Sequence, residues 1–142
     1  TSIVDINKEK RYNIYSIVLY QIYNYGGCKM KTIAIMEGST ERTIKSFMEI
    51  FKKLCLSNDK VRYAKVYYNV NELISYEQDP LTFPLTIYTD DYVFCLADCT
   101  AGYGGTGPQG TVEVLKYLDM TFDENEIYRR RENGITNLLI RR

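Results

Sequence analysis

The run Tyr92-Val93-Phe94-Cys95-Leu96-Ala97 passes directly into Asp98-Cys99-Thr100-Ala101-Gly102-Tyr103-Gly104-Gly105-Thr106-Gly107-Pro108-Gln109-Gly110, and this junction constrains the fold more than any other stretch. An apolar run without alternation reads as a strand buried on both faces, which needs cover above and below the sheet. The glycines then demand a loop, and a helix from about Pro108 to Leu118 follows. Thr106 and Gln109 have the spacing of a capping box, with Thr106 as N-cap. A strand, a glycine-rich loop and a helix in this order belong to an α/β domain.

The other elements follow from local pattern. Lys31–Met36 reads as a short buried strand, and Ser39 or Thr40 can cap a helix behind it. In that helix Ile44, Phe47, Met48, Phe51, Leu54 and Cys55 recur as one apolar stripe, with Lys45, Glu49, Lys52 and Lys53 on the wet side. Val61–Tyr68 alternates as a strand does, and Asn71–Glu77 suits a short helix before a break at Asp79-Pro80. Phe83–Thr89 and Tyr92–Ala97 face each other across Asp90-Asp91 as a hairpin. A third helix starts at Asp123, with Phe122 and Ile127 as its staple and Arg129-Arg130-Arg131 as its end. Ile135–Ile140 closes the chain as a strand, or forms a hairpin turning at Asn133-Gly134.

The expected order is β-α-β-(α)-β-β-α-α-β, giving one α/β domain over residues 30–142. It would have two or three layers, with a mixed, mostly parallel sheet and flanking helices. Residues 1–29 carry two readings. Ile14, Ile17, Val18, Ile22 and Tyr25 fall at helical spacing, whereas Gly26-Gly27-Cys28-Lys29-Met30 could be encoded by a purine-rich ribosome-binding sequence before a start at Met30. The second reading makes 1–29 a translated leader, as in a phage gene of AT-rich composition.

Charge and residue usage narrow the chemistry. Eighteen basic and eighteen acidic residues balance, which argues against a protein that coats duplex nucleic acid. The apolar run near Ile14–Ile22 is too short to span a bilayer, and nothing reads as a secretion signal, so a cytoplasmic protein without membrane contact is expected. Cys28, Cys55, Cys95 and Cys99 have no disulfide spacing; Cys55 and Cys95 read as core residues and Cys99 as the one outside the core. The chain has no histidine. That removes serine–histidine and cysteine–histidine catalysis and imidazole metal sites.

The glycine loop is the first candidate site. Glycines let backbone amides approach a ligand, and a helix start favours an anion, so a phosphate is the expected guest. Thr100, Gly104, Gly105, Thr106, Gly107 and Gln109 would hold it and Tyr103 would stack on a ring. Arg129 or Arg130 would add charge, since arginine forks suit phosphate oxygens. The function expected is a non-enzymatic protein that binds a nucleotide or other phosphorylated small molecule, without a cofactor. It would be a sensor or sequestering protein, one version being a phage-type, anti-defence sponge for nucleotide immune signals. Tyr63, Tyr67, Tyr68, Tyr88 and Tyr92 should mostly be half-buried packing with a wet hydroxyl, one or two of them stacking against a base or forming a self-association face in a homo-oligomer. The same tyrosines suggest a further reading, a protein-binding inhibitor.

The strand Ile33-Ala34-Ile35-Met36 followed by Glu37-Gly38-Ser39-Thr40-Glu41 resembles the opening of Toprim domains, the metal-dependent fold of topoisomerases and primases. The resemblance implies Glu37 as general acid/base with Mg²⁺ nearby. Asp98-Cys99-Thr100 stands where those domains carry Asp-x-Asp, with Thr100 in place of the second aspartate. The alternative it implies is an Mg²⁺-dependent nuclease or phosphotransferase using Glu37, Glu41 and Asp98 as metal ligands.

Overall fold

The structure is a computed structural model that describes residues 3–5, 17–25, 28–70, 83–132 and 134–142. Strands β1 (Ile3–Asp5), β2 (Ile17–Tyr25) and β3 (Cys28–Met36) lead into helix α1 (Thr40–Lys53). A single 3₁₀ turn precedes β4 (Val61–Tyr68), then come β5 (Leu85–Thr89), β6 (Tyr92–Leu96), α2 (Thr106–Tyr117), α3 (Glu124–Tyr128) and β7 (Thr136–Arg141).

The fold is α/β, and its described strands form one sheet in the order β1-β2-β3-β6-β5-β4-β7. The sheet is mixed but mostly antiparallel, which corrects the expectation of a mostly parallel one. Only β3 and β6 run parallel among the described pairs. The reason lies in the connections. The tight Asp90-Asp91 turn makes β5 and β6 a hairpin, with Tyr88 opposite Val93 and Leu85 opposite Leu96. Strand β7 returns beside β4, with Leu138 opposite Val66. The expected helix over 1–29 is also corrected where it can be seen: Ile17, Val18, Ile22 and Tyr25 lie in β2, antiparallel to β3. β-Branched and aromatic residues dominate that segment and favour the pleated conformation. Asn71–Glu77 and Asp79-Pro80 lie outside the described residues.

One face of the sheet carries the main core. Ile33 and Ile35 of β3, Phe94 and Leu96 of β6, Leu85 and Ile87 of β5, and Ala64 and Val66 of β4 join Phe47 and Phe51 of α1 there. Leu115 and Leu118 and, from α3, Ile127 complete it. The described helices thus cover one face, a two-layer arrangement. On the opposite face Ala34, Val93, Cys95 and Ala97 form a second buried cluster with Phe83. Strand β6 is therefore buried on both sides, as its unbroken apolar run requires.

Helix α1 matches its stripe. Ser39 is its N-cap, its hydroxyl accepting the Arg42 amide at 3.3 Å. Helix α2 starts two residues earlier than expected, and Gly105 rather than Thr106 occupies its N-cap, without a side-chain cap. Helix α3 has only five residues, capped by Asp123, and ends at Tyr128 before the arginines. Two cysteines exchange roles: Cys99 is buried in the core, and Cys55 is exposed beyond the end of α1 at a φ of 57°.

Candidate ligand cleft at the glycine loop

Most glycines of the loop answer to the chain's own packing. Gly102 has a φ of +96° and donates its amide to the Ile127 carbonyl at 2.9 Å, a conformation glycine adopts without strain. The Thr100 and Tyr103 hydroxyls are 2.7 Å apart. A Cβ on Gly107 would lie 1.9 Å from Thr100 Oγ1 and 2.7 Å from the Tyr103 hydroxyl, and one on Gly105 would lie 2.8 Å from the Tyr103 ring. The first turn of α2 is thus bare so that Thr100 and Tyr103 can fold against it. Gly110 serves a different contact, since a Cβ there would strike Thr40 of α1. At Gly104 a Cβ would meet nothing within 4 Å.

Thr100 and Tyr103 open on their other side into a cleft of about 390 Å³, lined also by Tyr67, Asn69, Val70, Pro84, Ala101, Gly102 and Arg130. Each wall has a local cause. Asn69 ends β4 in the left-handed region, with φ of 61°, and its side-chain amide donates to the Arg131 and Gly134 carbonyls at 2.9 and 3.0 Å. That clasp brings the arginine segment to the end of β4. Arg129 pairs with Glu126 at 2.6 Å, and Arg131 reaches the same carboxylate at 3.6 Å while its guanidinium lies 4.1 Å from the Tyr68 ring centre. The chain is extended at Arg129, so successive side chains alternate in direction. Of the three, Arg130, exposed like Arg129, is the one that lines the cleft.

The predicted site residues are therefore divided. Thr100, Tyr103 and Arg130 meet at this cleft. Thr106 and Gln109 point to the other side of α2, into a groove of about 440 Å³ against α1 that holds Glu41, Lys45 and Glu113 at its rim and Ile44 and Met48 at its base. Gly105 and Gly107 lie under Tyr103, Gly104 is open, and Arg129 is committed to Glu126. Tyr67 and Asn69 join the cleft from the end of β4 and Pro84 from just before β5. The sequence marks Tyr67 only as one of several tyrosines that could stack on a base, and Asn69 only by its turn-forming character beside a strand end.

The carboxylates sit apart from the cleft. Glu37 and Asp98 follow the ends of the parallel neighbours β3 and β6, where Ile35 stands opposite Leu96. Helix α1 ties both of them down. Ser46 Oγ donates to Glu37 Oε1 at 2.6 Å, and Thr43 Oγ1 donates to Asp98 Oδ2 at 2.7 Å. Thr43 Oγ1 also accepts the Glu37 amide at 3.3 Å, and the Thr40 hydroxyl donates to the Asp98 carbonyl at 3.0 Å. Glu37 is 5% exposed, Glu41 lies in the α1–α2 groove, and Thr100 engages Tyr103. Among the described residues no three carboxylate or thiolate side chains converge as ligands of one cation. As placed among the described residues, Glu37, Glu41 and Asp98 do not present one shared Mg²⁺ site.

No known protein family, curated protein or solved structure is found to match this chain. No helix among the described residues is long and apolar enough to cross a membrane.

Proposed function

We propose that this protein is a non-enzymatic cytoplasmic module that binds a nucleotide or similar phosphorylated ligand in the cleft between the end of β4, the glycine loop and Arg130. The observation that supports the reading is the meeting of Thr100, Tyr103 and Arg130 with Tyr67 and Asn69 in one cleft. Arginine presents a planar fork to phosphate oxygens. Two tyrosine rings and the Val70 and Pro84 side chains offer an apolar seat for a base, and Thr100 and Asn69 add hydroxyl and amide groups at the wall. With no histidine in the chain and the carboxylates held by α1, binding rather than turnover is the chemistry these side chains suit. A protein that sequesters or senses nucleotides, including a sponge for nucleotide signals, needs nothing more.

Thermal unfolding with nucleotides, cyclic nucleotides and ADP-ribose derivatives, with and without Mg²⁺, tests the reading. At a hundredfold excess over Kd, a bound ligand stabilises the native state by about 2.7 kcal/mol, several degrees in a domain of this size. The expected result is such a shift, independent of Mg²⁺, that Arg130→Ala abolishes while leaving the unliganded Tm unchanged. No shift with any of these compounds overturns the reading, and so does a shift that requires Mg²⁺ or that survives Arg130→Ala.

A further inference from the structure

The register of β4 places Tyr63, Lys65 and Tyr67 on the face opposite the helices, since residues two apart share a face. Tyr88 of β5 stands opposite Tyr63, and Arg141 of β7 stands opposite it on the other side. The Tyr63 and Tyr88 rings stack at 4.4 Å between centroids and 17° between planes. Lys65 Nζ lies 6.0 Å from the first centroid and 5.6 Å from the second. Leu139, beside Lys65 in the register, is 42% exposed, so the β4–β7 part of this side is open to solvent, whereas Thr86 of β5 and Val93 and Cys95 of β6 on the same side are buried. No acidic residue occupies this face at any position of β4, β5, β6 or β7. Tyr67 also lines the cleft, so the row and the cleft are continuous.

We infer that the β4–β7 part of this face is a platform for single-stranded nucleic acid, which runs from Arg130 at the cleft over Tyr67, Lys65 and Tyr63 to Arg141. The inference rests on the cleft being a nucleotide site and extends it from one nucleotide to a strand. Aromatic rings alternating with cations along an extended surface are what single strands use, because every base has a face to stack and every linkage a charge to neutralise. Side chains on one face of β4 repeat about every 6.8 Å, so Tyr63 and Tyr67 address different nucleotides. A duplex keeps its bases stacked inside and offers these rings nothing. The balanced net charge, which argues against coating duplexes, leaves room for a stripe without acidic residues among the described strands β4 to β7.

Fluorescence anisotropy of a labelled oligouridylate octamer against the full chain tests this, with uridine monophosphate and a duplex of the same length as competitors. The octamer should bind more tightly than the monophosphate by more than its number of nucleotides accounts for, and the duplex should compete poorly. Three phosphate contacts on a single strand give a slope of log Kobs against log salt of about −2. Lys65→Gln should lower its magnitude by about 0.7 and weaken octamer binding without altering monophosphate binding. Arg141→Gln, at an exposed position, should do the same. If octamer and monophosphate bind alike and neither substitution changes the slope, the platform is refuted and the cleft alone stands. If the octamer does not bind, the platform is refuted, while the thermal-shift screen decides the cleft separately.

Discussion

At the residue scale, the loop's glycines separate into those that packing requires and one that it leaves free. A Cβ at position 107 would collide with the Thr100 and Tyr103 hydroxyls, while one at 104 would meet open space. Gly107→Ala should therefore lower stability by about 1–3 kcal/mol, the usual cost of overpacking. Gly104→Ala should change it by less than about 0.5 kcal/mol, as exposed substitutions do. Urea midpoints of the two variants measure the contrast, and equal midpoints would refute the account of why Gly107 is glycine. The sequence shows a cluster of glycines of the kind that cradles phosphate. It does not show that Thr100 and Tyr103 occupy the space those glycines open, because a contact between positions four and seven apart depends on how the loop turns. Arg130 teaches the same lesson, since three adjacent arginines look alike until Glu126 and the Tyr68 ring claim its two neighbours.

Among elements, α1 does more than cover the sheet. Thr43 and Ser46 in its first two turns hold the carboxylates that end β3 and β6, and Thr40 reaches the Asp98 carbonyl. Thr43→Val keeps the shape of the side chain but removes a hydroxyl that donates to Asp98 and accepts from the Glu37 amide. Leaving a partly buried carboxylate and a buried amide short of a partner costs about 1–3 kcal/mol, read as a drop in Tm of several degrees. A Tm equal to the parent's would show that the network contributes nothing. The existence of α1 was legible because its apolar period is local. The starting point of α2 was less so: Thr106 and Gln109 have capping-box spacing, yet with Gly105 as N-cap they fall on the groove side of the helix. A turn of about 100° per residue decides which side chains share a site, and a shift of the start by two residues redistributes them.

For the whole molecule, burial of tyrosines couples stability to alkaline pH. Burial raises the Tyr68 and Tyr88 phenols above their ordinary value of 10.0. A raised folded value means the stabilisation is complete below the unfolded value and is lost as pH rises through 10 toward the folded values. Urea midpoints should hold steady to about pH 9 and fall above about pH 10, and Tyr88→Phe should flatten the fall. A flat profile in the parent would count against burial of these phenols. The α/β class, the hairpin at Asp90-Asp91, the doubly buried β6 and the loop that opens the cleft were all determined by the sequence alone, because each is written in neighbouring residues. Only the tertiary structure decided that β4 and β7 lie antiparallel beside that hairpin, that the described helices share one face, and that Tyr67 and Asn69 meet Thr100, Tyr103 and Arg130. Strand direction and the company a side chain keeps are set by pairing between distant segments, and the apolar pattern of a strand is the same whichever way its neighbour runs.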